Sequence, residues 1–278
     1  MRFTGGGRSS NLEDRRGLSG RAGLGIGGTA VVLILSLLFG RNLFDDVGVA
    51  PSTIASSNGG LSAADSAREE PEVIFLSNVL DDAQQTWTAV LPKYGTPYHD
   101  AKLALFRDAT PTGCGTGQTA MGPFYCPLDE TVYLDLGFFD ELRTKFGAAG
   151  DFAQAYVLAH ELGHHVQHLL GTEDQVRRAQ QGDPARANQY SVQLELQADC
   201  YAGVWGFSAQ QRNLLSPGDV EEGLNAASSV GDDRILQRAG RSANADSFTH
   251  GSAAQRESWF RRGFESGDPK SCDTFAGR

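Results

Sequence analysis

Residues 159–165 read AHELGHH, and no other stretch constrains the fold of this chain as tightly. His160 and His164 stand four apart, so on a helix their imidazoles project from one face and can grip a single ion. Glu161 lies beside the first of them and toward the remaining open position, where it can take the proton of a metal-activated water. The pattern works only if the segment is helical and packed. Phe152, Ala155, Tyr156, Ala159, Leu162, Val166 and Leu169 recur at helical spacing around it, which predicts a helix over 152–170. Asp151 is placed to cap that helix and Gly171 to end it. Gly163 leaves room for another element to press close. A chance match on a His-rich surface helix is the bland alternative, and the apolar periodicity weighs against it.

Two histidines do not complete a site. The longer metzincin pattern needs Gly at 167 and His at 170, where this chain has Gln167 and Leu170. His168 shares the helix face but sits about 12 Å along the axis from His160, too far for one ion; it reads as a polar residue at the helix end. His165 points away from the pair, as a supporting or surface residue. Glu195, in the run Glu195-Leu196-Gln197-Ala198-Asp199, is the better third ligand, and Asp199 one turn later can orient a ligating histidine, His160 above all. An ordinary solvated acidic face is the competing reading. It fits poorly with a helix that is otherwise apolar or neutral from Val192 to Trp205.

The ends of the chain carry a second signal. Ala22 to Gly40 holds nineteen positions without a charge, about 28 Å as a helix, close to the thickness of a bilayer core. Five arginines against Glu13 and Asp14 precede it, and the positive-inside rule then puts the N-terminus in the cytoplasm. A cleaved signal peptide or a core helix is the alternative, disfavoured by the length and by the lack of a small-x-small cleavage site. The organisation read from this is a cytoplasmic leader over 1–21, a membrane-spanning anchor over 22–40, a Pro/Ser/Gly/Ala-rich tether over 41–71 and an extracytoplasmic domain over 72–278. Four cysteines, all beyond the span, suggest two disulfides there; Cys114 with Cys126 and Cys200 with Cys272 is the preferred of three pairings. A net charge of −10 argues against nucleic acid as a partner.

Within the domain, helical spacing runs over Ile74–Leu91, a short buried strand fits Lys102–Phe106, and β-rich segments at Phe124–Cys126 and Thr131–Leu134 flank a plausible turn. Further helices are expected over 135–146, 191–205, from Ser216-Pro217 onward, and over 251–265. Early strands and many helices give an α+β, helix-dominated domain with a small sheet.

The motif pair His160-Glu161-x-x-His164 and Glu195-x-x-x-Asp199 is similar to zincins with a glutamate third ligand. Its wider wording, in Ser10-Asn11-Leu12-Glu13-Asp14-Arg15-Arg16, GPFYCPLDETVYLD, HELGHHVQ, ELQADCYAGVW, SPGDVEEGLNAASSVGDDR and SFTHGSAAQRESWFRRGF, resembles the bacterial family named "putative neutral zinc metallopeptidase". The resemblance implies one membrane span and a peptidase-type, zincin-like zinc domain, and no particular substrate; the residues themselves lead to the expectation of a Zn(2+) ion held by His160, His164 and Glu195 and of a peptide or protein substrate. Hydrolysis also needs a donor for the oxyanion. His250, before Gly251, is the candidate, with a capping or core role as its rival, and Arg256 is a second choice that could simply pair with an acid. His99 has no evident partner. The strand Thr131–Leu134 is expected to be the edge on which an extended peptide lies. The competing function is an anchored scaffold that keeps the zincin fold without turnover, or hydrolysis of a non-peptide amide.

Overall fold

A computed structural model of the chain describes residues 1–3, 5–17 and 61–276. Its sheet is built from β1 (Leu12–Asp14), β2 (Lys102–Phe106), β5 (Phe124–Cys126) and β6 (Thr131–Asp135), in the order β1-β2-β6-β5. β1, β2 and β6 run parallel, and β5 returns antiparallel to β6. Strands buried on both faces read as continuous apolar runs rather than alternating ones, which is why KLALF shows no clean period. Leu103, Leu105, Val132 and Leu134 face one layer, while Ala104, Phe106 and Tyr133 face the other. A hairpin of β3 (Ala109–Thr112) and β4 (Gly115–Gln118) is stapled to β5 by the Cys114–Cys126 disulfide.

Helices supply the rest: α1 (Ala63–Val90), α2 (Gly137–Thr144), α3 (Asp151–Leu169), α4 (Thr172–Gly182), α5 (Ala187–Gln211), α6 (Asp219–Ser229), α7 (Asp232–Arg238) and α8 (Ala253–Ser266). α1 lays Val73, Leu76, Val79 and Leu80 against the sheet, and α3 adds Phe152, Ala155, Tyr156 and Leu158 to the same core. α3 carries the motif as expected, but Asp151 does not cap it. Glu222 of α6 does so from outside, accepting the Phe152 N–H at 3.2 Å. The second disulfide, Cys200–Cys272, joins α5 to the C-terminal tail.

Two expectations need correction. α1 begins at Ala63, capped by Ser62, so part of the segment read as tether is helix; Glu69, in that part, is paired with Arg16 and Arg107. The expected topology is also overturned. A single span would put residues 1–21 and 72–278 on opposite sides of a membrane, yet β1 is hydrogen-bonded to β2 and the Arg16 side chain is buried against Glu69 at 2.7 Å. Arginines read as a cytoplasmic signal are instead ion-paired within the domain, Arg8 and Arg16 both with Asp14. The run Ala22–Gly40, read as the span, lies outside the described residues, as does 41–60. Among the described residues no helix is long and apolar enough to cross a membrane.

Candidate active site

The site exists because α3 and α5 touch backbone to backbone. A Cβ on Gly163 would fall 2.9 Å from the Ala198 carbonyl oxygen and 3.0 Å from its Cα, a separation real side chains do not tolerate. With glycine there, Glu195 and Asp199 on α5 come to face His160 and His164 on α3. Glu195 Oε2 lies 3.2 Å from His160 Nε2, and Glu195 Oε1 lies 3.5 Å from His164 Nε2. The three ligand atoms fall within 4.8 Å of one another.

Each imidazole is fixed from behind. His160 Nδ1 donates to Asp199 Oδ1 at 2.8 Å, since a carboxylate can only accept. His164 Nδ1 donates to Gln167 Oε1 at 2.8 Å, and the Gln167 amide is itself held by the Leu194 carbonyl at 2.7 Å. Both Nε2 atoms therefore turn lone pairs into the shared space. Two imidazole nitrogens and a carboxylate oxygen, with the rear nitrogens anchored, are a donor set that suits zinc and leaves a coordination position open.

Charge is arranged to match. Burial opposes ionisation of Glu195, but His164, His160 and His250 hold it well below the usual carboxylate range. Burial likewise opposes the Asp199 charge, and Arg256 and His160 hold its carboxyl low. Glu161 is different: burial pushes it up, the Glu195 charge adds to this, and the His160, His164 and Arg256 charges pull the other way.

The two candidate oxyanion donors separate. Arg256 is buried and spent on Asp199, through Nε to Oδ2 at 2.8 Å and Nη2 to Oδ1 at 2.9 Å. His250 is half-exposed and lines the same cleft of about 530 Å³ as His160, Glu161 and His164. Its loop is wrapped around Asp232, whose Oδ2 accepts the backbone N–H groups of Thr249, His250 and Gly251 at 2.8, 2.7 and 3.0 Å. Asp232 Oδ1 lies 3.2 Å from His250 Nδ1. Asp232 carries no spacing signal to the motif helix, and sequence reasoning passed over it.

His165 points away from the pair, as expected, but it is fully buried rather than at the surface. Its Nε2 donates to the His99 carbonyl at 2.8 Å, and its Nδ1 accepts from the Tyr125 hydroxyl at 2.8 Å. Tyr125 belongs to β5, so this contact fastens the outer strand of the sheet to the motif helix. His99 does have a side-chain partner, Glu130 at 3.1 Å, and His168 lies 3.4 Å from Glu173. The strand expected to be an edge, Thr131–Leu134, is β6, which is paired on both sides; the edge beside the cleft is β5.

Residues 1–275 match the family described as "putative neutral zinc metallopeptidase". The chain is 47% identical over 284 residues to the uncharacterized protein YpfJ of Escherichia coli strain K12, across 99% of each chain. It is 45% identical over 215 residues to the uncharacterized protein Rv2575 of Mycobacterium tuberculosis strain H37Rv, across 73% of this chain and 70% of that one. No solved structure matches.

Proposed function

This chain belongs to the family described as "putative neutral zinc metallopeptidase", and from that premise we propose that it is a peptidase in which Glu161 is the general base. The observation that carries this reading is the convergence of His160 Nε2, His164 Nε2 and a Glu195 oxygen with a further carboxylate, Glu161, lining the same cleft. A structural zinc is closed by four protein ligands, whereas three ligands with an adjacent base suit catalysis. Zinc bound there supplies a Lewis acid that acidifies water and polarises the carbonyl under attack.

The protein's own groups supply the rest. Glu161 takes the proton of the attacking water and passes it to the departing amine. With Nδ1 directed at Asp232, His250 is left with Nε2 to donate to the carbonyl oxygen as negative charge develops there. Asp199 orients His160, and the peptide is laid along β5, whose outer edge, unpaired among the described residues, offers main-chain hydrogen bonds without strong side-chain selection.

The test compares Glu161→Gln with wild type on a peptide mixture. Zinc content should be equal, and cleavage by the variant should fall by at least about 100-fold. Cleavage that survives in the variant would remove Glu161 from this role. Stoichiometric zinc with no cleavage by either protein would favour a silent scaffold.

A further inference from the structure

Among the described residues three carboxylates line the cleft, those of Glu161, Glu173 and Glu195. Two of them have a task at the metal, as base and as ligand, and Glu173 has none. Gly171, in the left-handed region at φ 70°, follows the end of α3 and turns the chain straight into α4, whose first turn carries Glu173. That turn brings the carboxylate to 3.4 Å from His168 Nδ1, and the Tyr125 ring of the cleft stands 6.2 Å from the His168 ring. His168 is one turn past His164, about 6 Å along the axis. An extended peptide advances about 3.4 Å per residue, so a group that reaches Glu173 belongs to a residue close to the attacked bond.

Glu173 is an acid whose counter-ions are claimed elsewhere. Its side chain is 15% exposed, and its buried Oε2 accepts no hydrogen bond among the described residues. Arg177, one turn along α4, is exposed and lies 3.7 Å from Asp174. His168 is divided between two acids, for its Nε2 lies 3.7 Å from Glu130 Oε1. His164 is turned to the ligand set. Burial therefore pushes the Glu173 carboxyl up, against the pull of His164, His168 and Arg177. Tyr125 feels the same field: burial and then the charges on Glu130, Glu173 and Asp129 push its hydroxyl up. That hydroxyl is already given to His165, which leaves the ring itself to face a ligand. A negative end with an aromatic face is what attracts an organic cation. An ammonium or guanidinium there would make charge-assisted hydrogen bonds, about twice as strong as neutral ones.

We propose that Glu173 is a specificity-determining residue that receives an organic cation of the substrate, a lysine or arginine side chain or a free α-ammonium, within about two residues of the scissile bond. The proposal rests on the peptidase reading for its substrate, but the cation site can be probed without turnover.

The probes are two series of peptide hydroxamates, with the metal-binding group at the carboxyl or at the amino end, so that both sides of the scissile position are sampled. Each series carries lysine, norleucine or glutamate at the first or second residue from that group, with other amines acetylated. They are titrated calorimetrically into the zinc-loaded full chain. In one series lysine should bind roughly 10- to 100-fold more tightly than norleucine, with glutamate weakest. A norleucine peptide with a free α-amine, set against its acetylated form, tells a terminal ammonium from a side chain, and a preference in either arm supports the proposal. Glu173→Gln should abolish the preference and Glu173→Asp restore part of it, which a purely structural role for Glu173 would not do. Equal affinities in every arm, or a preference that Glu173→Gln leaves intact, would overturn the proposal. So would a second zinc ion that displaces the lysine probe and is lost in Glu173→Gln, since the acid would then serve a metal. A peptide mixture read by mass spectrometry separates the two claims. Cleavage with no enrichment of a cationic group near the cut bond would sink the cation site and keep the peptidase. A lysine preference in a protein that cleaves nothing would do the reverse.

Discussion

Asp199 has two separable duties, and a pair of variants can pull them apart. Its side chain is fully buried and accepts from His160 Nδ1 at 2.8 Å, from the Tyr156 hydroxyl at 2.5 Å, and from Arg256 at 2.8 and 2.9 Å. Asp199→Asn keeps the shape and removes the charge, leaving the Arg256 guanidinium buried without a counter-ion. Breaking a buried pair from one side costs about 3–5 kcal/mol, and loss of the carboxylate behind a ligating histidine weakens metal binding about 10- to 100-fold. Asp199→Leu combined with Arg256→Met removes both charges but strands the Tyr156 hydroxyl and His160 Nδ1, at about 1–3 kcal/mol each, so stability should return only in part. Zinc affinity should not return, because His160 is still unanchored. Urea unfolding of the zinc-free protein reads the first quantity, and competition with a chromophoric chelator reads the second. A cost below about 1 kcal/mol for Asp199→Asn, or zinc affinity restored in the double variant, would refute this division.

Other outcomes are expected. Asp232→Ala should lower peptide turnover as far as His250→Ala does, with zinc content unchanged; full activity in the first and not the second would break the link between them. Asp14 is held at about 2 against an ordinary 3.8, first by hydrogen bonds from Arg16, which outweigh burial, and then by Arg8. A depressed folded value means stability that is present above about pH 4 and lost as pH falls toward 2, and with solvent screening at this exposed residue Asp14→Asn should cost about 1 kcal/mol at pH 7. That gap should close in acid, and a gap independent of pH would refute the ion-pair account. The Cys200–Cys272 bridge closes a loop of 72 residues and Cys114–Cys126 one of 12. Replacing the first pair by alanines should therefore cost about 4 kcal/mol and the second about 3, read by denaturant midpoints; a larger loss from the shorter loop would contradict the chain-entropy argument.

The sequence disclosed the centre of the site better than its surroundings. His160 and His164 were legible from their spacing, and Glu195 and Asp199 because they are the only acids on a helix otherwise neutral. Asp232 was not, because its task is to receive three backbone N–H groups from a loop close to it only in space. For His165 the choice between a supporting and a surface role stayed open for a related reason: the side of α3 turned away from the ligand pair is as buried as the side that bears it, so no polar stripe marks a surface. The leader was the larger misreading. Charge counting treated its arginines as a signal for topology, whereas Arg16 belongs to a buried ion pair whose partner, Glu69, stands 53 residues away. β1 is three residues long and shows no alternation.

The position of β1 has a consequence for the order in which this molecule assembles. Leu12 pairs with Leu103 and Asp14 with Leu105, so the strand synthesised first can dock only after the chain has grown some ninety residues further. Contacts of such separation carry a large closure entropy and form late. From its synthesis until β1 docks, the flank of β2 stays open as a pairing edge, and an unpaired edge is where nascent chains aggregate. The amino-terminal segment thus closes the sheet that supports the candidate site, and mutations that slow its arrival should lower soluble yield before they alter the finished protein.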